Sequence, residues 1–295
     1  MKKRPLLLAS LTIAGIFLVF LLLAVLLGKA GTTKELVSVG DKIGVIEVYG
    51  PIMESGSLIE DIIDFRDNRS VKAVILRIDS PGGAVGPSQE IYNEVIKLQQ
   101  EKPVVVSMGS VTASGGYYIA APAKRLFANP GTITGSIGVI MSFPNYEGLM
   151  EKVGVSSIVI KSGRFKDIGS PSRPFSEAER KLMQSLIDDV HAQFVEAVSL
   201  GRELPAEQVR KIADGRIFSG RQALANGLVD ELGGFQDAVD YTSELVGLGE
   251  DPTLIYPEVE KPDLLERILN STLGEIVFET RQHWKSGPQY LWTGL

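Results

Sequence analysis

The chain has 295 residues, a formal net charge of −6, no cysteine and two histidines. These counts exclude thiol nucleophiles, disulfides and cysteine–histidine metal centres. An acidic chain without a basic block also offers nucleic acid no surface, and the length suits one large domain or two small ones.

Met1-Lys2-Lys3-Arg4 leads into an uncharged apolar run from Leu6 to Leu27, with Lys29 and Lys34 beyond it. As a helix rising ~1.5 Å per residue, the run spans ~33 Å, which matches the ~30 Å hydrocarbon core of a bilayer. A cleavable signal peptide has a shorter apolar region, about 7–15 residues, and a small-x-small exit. Leu27-Gly28-Lys29-Ala30 supplies that exit poorly. Residues 6–27 are therefore expected to be an uncleaved transmembrane anchor, with a signal peptide as the alternative. The leading basic residues place residues 1–5 in the cytoplasm and the rest of the chain outside it, across the cell membrane. Residues 28–40 form a linker.

From residue 41, strands and helices alternate. Strands are expected over Ile43–Tyr49, Ala73–Asp79 and Pro103–Met108, separated by helices over Ser57–Asp67 and Gln89–Gln99. Short strands follow at Arg125–Ala128, Ile133–Met141 and Ile158–Lys161. Such alternation implies βαβ units and a largely parallel, buried sheet. Glu177–Leu200 reads as a long helix, with Ser176 as N-cap and Glu179 completing a capping box. Shorter helices are expected over Pro205–Ala213, Gly220–Asn226 and Phe235–Val246. Periodicity is lost after Pro252 until an amphipathic stretch over Leu264–Gln282. No repeat and no second domain boundary is visible, so residues 41–250 read as one domain and 251–295 as a tail or interface segment.

Two glycine-rich loops leave successive strands. Asp79-Ser80-Pro81-Gly82-Gly83 follows one, and Ala113-Ser114-Gly115-Gly116-Tyr117-Tyr118 follows the next. In a parallel sheet such loops lie side by side at the carboxyl ends of the strands, where sites form. Ser114 at a strand-to-helix turn reads as a nucleophile, and Gly115 N–H as one arm of an oxyanion hole. Gly82 or Gly83 would supply the other arm. Each loop alone is compatible with an ordinary turn, and Ser114 with a helix cap; the pair together indicates a site.

A serine needs a base. His191 falls mid-helix and His283 in the tail, so neither is placed to serve. The alternative is a lysine held neutral, which burial can achieve. Lys124, Lys152, Lys161 and Lys166 all lie downstream, and the residues alone do not choose among them.

These motifs, with Gly135-Ser136-Ile137-Gly138-Val139 and Lys161-Ser162-Gly163-Arg164-Phe165-Lys166-Asp167, resemble the signal peptide peptidase A family in its short bacterial and archaeal form. The likeness covers most of residues 43–246. It implies a Clp/crotonase-like α/β core of ββα units behind a single N-terminal transmembrane helix, and a ring-like homo-oligomer. It also implies Ser114 as nucleophile, Lys166 as general base and Ser136 orienting the amine, with Gly82, Gly83 and Gly115 around the oxyanion. No cofactor or metal is implied. The substrates would be cleaved signal peptides and other short unfolded peptides. Two other readings share parts of the pattern: a crotonase-like acyl-CoA enzyme and a non-catalytic membrane-tethered scaffold.

Overall fold

The structure, a computed structural model, describes residues 40–258 and 289–292 and, ahead of them, Gly15 alone. The anchor expected at residues 6–27, the linker and the amphipathic stretch 264–282 thus fall outside the described residues. Among the described residues no helix is long and apolar enough to cross a membrane.

In chain order the elements are β1 (Lys42–Tyr49), α1 (Gly56–Asp67), β2 (Val71–Ser80), β3 (Gly82–Ala84), α2 (Val85–Glu101), β4 (Val104–Ala113) and α3 (Gly115–Ala120). There follow β5 (Arg125–Ala128), β6 (Ile133–Gly135), α4 (Glu147–Lys152), α5 (Glu177–Gly201) and α6 (Ala206–Ile212). The rest are β7 (Ile217–Ser219), α7 (Gly220–Ala225), β8 (Glu231–Leu232), α8 (Phe235–Val246), β9 (Thr253–Ile255) and β10 (Gln289–Leu291). An eight-stranded sheet runs β7-β6-β4-β2-β1-β9, with β5 beside β4 and β8 beside β5. Every pairing in it is parallel except β6 with β7. The fold is therefore mixed α/β on a largely parallel sheet, as the alternation of elements implied.

Both faces of this sheet are covered, which is why its strands read as near-continuous apolar runs. Val74, Leu76 and Ile78 of β2 and Val104, Val106 and Met108 of β4 point to one face. There they pack with Ile91 and Val95 of α2, Tyr117 of α3 and Phe194 of α5. Ile75 and Val105, one residue out of phase, point to the other face, against Ala238 and Val239 of α8. Ser176 caps α5 and accepts from Glu179 N, while the Glu179 carboxylate accepts from Ser176 N at 2.8 Å.

Two expected strands take a different form. The run Ile133–Met141 stays in the large sheet only as far as Gly135, because Gly135 (φ +78°) and Ser136 (φ +50°) turn the chain out of it; farther on, Ile140 forms a single bridge to Gln289. Ile158–Lys161 has no regular structure, and Ile158 and Ile160 are 88% and 97% exposed. An apolar alternation becomes a strand only where a neighbour covers it, and none of the described residues does so here.

Candidate active site

The carboxyl end of β4 is held by side chains rather than by sheet pairing alone. The Asp79 carboxylate accepts from Ser110 N and Val111 N, each at 3.0 Å. Thr112 Oγ1 donates to Ile78 O at 2.7 Å, and Thr134 Oγ1 donates to Thr112 O at 2.6 Å. The next residue but one, Ser114, adopts φ +53°, ψ −118°, a conformation that non-glycine residues avoid. Its N–H donates to Gly135 O and its carbonyl accepts from Tyr118 N, both at 2.8 Å. Such a backbone costs ~1–3 kcal/mol and persists where the surroundings fix it. Ser114 is buried, at the start of α3, with its neighbour Gly115 N–H at the helix's first position.

The Gly82–Gly83 loop lies directly against it. Gly82 has φ +96°, and a Cβ placed there would sit 2.5 Å from Gly115 N and 3.0 Å from Ser114 Cβ. The Gly82 N–H is already committed to Ser80 Oγ at 3.1 Å. Gly83 is bridged to Ile52, with Ile52 N donating to Gly82 O and Ala84 N donating to Ile52 O. A Cβ on Gly115 would lie 3.1 Å from Gly83 N. The sequence-derived set Gly82, Gly83, Ser114 and Gly115 is thus brought together. Ser136, in the next strand end, follows directly on the Ala113↔Gly135 pair and shares the unusual positive φ.

Lys166 is not brought to this cluster. It lies exposed in the loop between Ser162 and Phe175, and neither Lys166 Nζ nor Ser114 Oγ has a hydrogen-bond partner among the described residues. Lys161 is engaged instead: it pairs with Asp167 and donates to Arg164 O at 3.1 Å. Lys124 and Lys152 are exposed on other elements. The loop carrying Lys166 is tethered by Arg173, which pairs with both Asp167 and Glu179. Arg173, with the Ser176 backbone and hydroxyl, lowers the Glu179 pKa to about 2, and Arg173 and Lys161 hold Asp167 well below the usual carboxylate range.

One neighbour of the site leaves no signal in the sequence. Strand β10 pairs antiparallel with β3, in the register Tyr290↔Gly83, and Trp292 N donates to Pro81 O at 2.9 Å. Beside it a cavity of about 420 Å³ is lined by Ser136, Ile140, His191, Asp214 and Trp292, among others. His191 Nε2 is buried there without a hydrogen-bond partner among the described residues. Three residues of strand at the end of an aperiodic tail are too short for any period to register.

Comparison with known proteins is consistent across most of the chain. Residues 96–249 match the model of peptidase family S49. A putative protease of Synechocystis is 46% identical over 229 residues, 77% of this chain and 82% of its own length. A putative signal peptide peptidase of Enterococcus faecium is 37% identical over 230 residues, covering 72% of this chain and 67% of its own. Protease 4 of Haemophilus influenzae is 39% identical over 224 residues, 72% of this chain but 36% of its own length.

Proposed function

The chain belongs to peptidase family S49, the signal peptide peptidase A family, and is a serine-type peptidase; from that premise we propose a membrane-anchored endopeptidase that uses a Ser114–Lys166 dyad on leftover signal peptides and other short unfolded peptides. The carrying observation is the strained Ser114 set against two glycine loops. Neutral Lys166 takes the Ser114 proton, and Ser114 Oγ attacks the peptide carbonyl. Lys166 then returns the proton to the leaving amine, and water hydrolyses the acyl-enzyme. Gly115 and Gly83 are the oxyanion donors in this reading, because Gly82 N–H is spent on Ser80. Ser136 orients the amine. Lys166 is preferred to Lys161 because Lys161 is already engaged by Asp167 and the Arg164 carbonyl.

The base reaches Ser114 from a neighbouring copy. Just ahead of the Lys166 loop lie Leu149, Val153, Ile158 and Ile160, each 61–97% exposed. Apolar side chains in that number belong at a protein interface, and covering them with a second copy would carry one copy's Lys166 toward another's serine. The anchor at residues 6–27 would hold the assembly on the outer face of the cell membrane, near apolar peptides leaving the bilayer.

A fluorophosphonate probe should label Ser114. Ser114→Ala should abolish labelling and lower peptide hydrolysis by at least ~10³-fold, read by gel fluorescence and a quenched-peptide assay. Hydrolysis that survives the substitution would sink the assignment.

The tether of the Lys166 loop also carries a pH dependence. A carboxylate whose pKa falls on folding stabilises the folded form above its unfolded value, about 4, and that gain fades as pH drops through the folded value. With Glu179 at about 2 and Asp167 also depressed, the loop should stay anchored above about pH 4 and loosen from there down to pH 2. Pepsin cleavage confined to residues 162–175 and rising over that interval is the expected readout.

A further inference from the structure

The loop that carries Lys166 is held by an ion network centred on the very next residue, Asp167. Its side chain is only 11% exposed, and both carboxylate oxygens are taken. Arg173 Nε donates to one at 3.0 Å, and Lys161 Nζ pairs with the other. The Arg173 guanidinium also donates to Asp167 O at 3.2 Å and reaches on to the carboxylate of Glu179, a buried residue in the first turn of α5. Glu179 is fixed in turn by the Ser176 N–H and hydroxyl, which donate to it at 2.8 and 2.7 Å. An unbroken run of bonds therefore joins the cap of α5 to the neighbour of Lys166. Backbone turns complete the loop: Lys166 N donates to Gly163 O, Ile168 N to Phe165 O and Ser170 N to Asp167 O, each at 3.1 Å. At the loop's end Phe175 packs on Phe143, with ring centroids 5.0 Å apart.

A lysine that serves as base must be a free amine. A carboxylate within reach favours its charged form, and a neighbouring cation favours the neutral one. Asp167 is the anion placed to hold Lys166 protonated. We propose that Arg173 is a positioning residue for the base: it draws the Asp167 carboxylate onto itself and Lys161, away from the Lys166 amine, so that Lys166 gives up its proton more readily. The inference rests on the dyad reading above. Arg164, over the Phe165 ring at 5.1 Å, adds a further cation to the same loop. Glu179 is committed to Arg173 and Ser176. The other element against the loop is α4, where Tyr146 N donates to Pro171 O at 2.7 Å. Glu147, Glu151 and Lys152 of α4, like Glu177 and Arg180 at the start of α5, make no side-chain bond to the loop among the described residues. At the receiving end Ser114 and Ser136 are uncharged, and the titratable groups of the cavity beside Ser136 are Asp188, His191 and Asp214. These three are common to every variant compared below, so differences between the profiles arise in the loop.

The test is the pH profile of kcat/KM on a quenched peptide, which should rise as the base loses its proton. In Arg173→Gln the midpoint of that rise should move up by about one pH unit, lowering kcat/KM roughly tenfold on the rising limb and leaving the alkaline plateau within about twofold. Asp167→Asn should not move the midpoint up. The double variant should follow Asp167→Asn, because no carboxylate is then left to restrain. A purely structural loss would instead depress the whole profile, plateau included, and the second substitution would deepen it. An even loss of rate at every pH, or a double variant whose midpoint stays raised, would overturn the inference and leave the dyad reading standing. Should Arg173→Gln fail to fold, Lys161→Met removes the other partner of Asp167 and should raise the midpoint in the same sense; an unmoved midpoint there overturns the inference equally. A parent protein whose hydrolysis survives Lys166→Ala would remove the dyad reading and this inference with it.

Discussion

Mixing two dead variants, Ser114→Ala and Lys166→Ala, should restore peptide hydrolysis. Each alone lacks half of the dyad and should fall by at least ~10³-fold. If serine and lysine meet within one chain, every site in a mixture still lacks one partner, and nothing returns. If they meet across an interface, a Lys166→Ala copy lends its serine to the lysine of a Ser114→Ala neighbour. Random assembly around a ring then completes about a quarter of the sites. The expectation follows from three observations: an exposed Lys166 unbonded to Ser114, a buried and strained Ser114, and a run of bare apolar residues beside the lysine loop. The assay is quenched-peptide turnover after the two variants are dissociated, mixed and reassembled. Activity no greater than the sum of the parts would place the dyad within one copy or assign the base to another group. Restored activity should also climb with pH, since only the free amine can take the serine proton.

The sheet and most of its helices were legible because each buried strand needs apolar residues on both faces and each covering helix needs an apolar stripe. Val104–Met108 and Phe235–Val246 announced themselves in that way. The close approach of the two glycine loops was legible for a different reason: glycine is required where backbone meets backbone, and Gly82 is wedged between Gly115 N and the Tyr290 carbonyl. Which glycine N–H is already engaged was not legible, because it depends on where the Ser80 hydroxyl points. Ile158–Lys161 misled because apolar alternation signals burial without naming the partner, and none of the described residues covers it. The tail strand was invisible for a related reason. Tyr290 is buried by Tyr118 and Phe194, roughly a hundred and more positions away, and four residues carry no period that would reveal such a contact.

Gly82→Ala and Gly83→Ala should fail in different ways. At Gly82 a methyl group would stand 2.1 Å from the Tyr290 carbonyl oxygen and 2.5 Å from Gly115 N, in the space assigned to the oxyanion. Removal of a single oxyanion donor costs ~10²–10³ in kcat, and blocking the whole recess should cost at least that. The scaffold is strained there too, because Gly115 N is a backbone atom at the start of α3 and a φ of +96° costs a residue with a Cβ ~1–3 kcal/mol. At Gly83 the clash falls elsewhere. A methyl group there would lie 2.0 Å from Ile52 O and 2.6 Å from Ile52 N, backbone atoms that tie the chain after β1 to β3 and cannot swing aside. Both variants should therefore melt below the parent, and Gly82→Ala protein that remains folded should in addition hydrolyse almost nothing. Thermal melts read beside kcat separate the two. A Gly82→Ala protein with near-parental turnover would mean that the recess between the two glycine loops is not where the peptide carbonyl is activated.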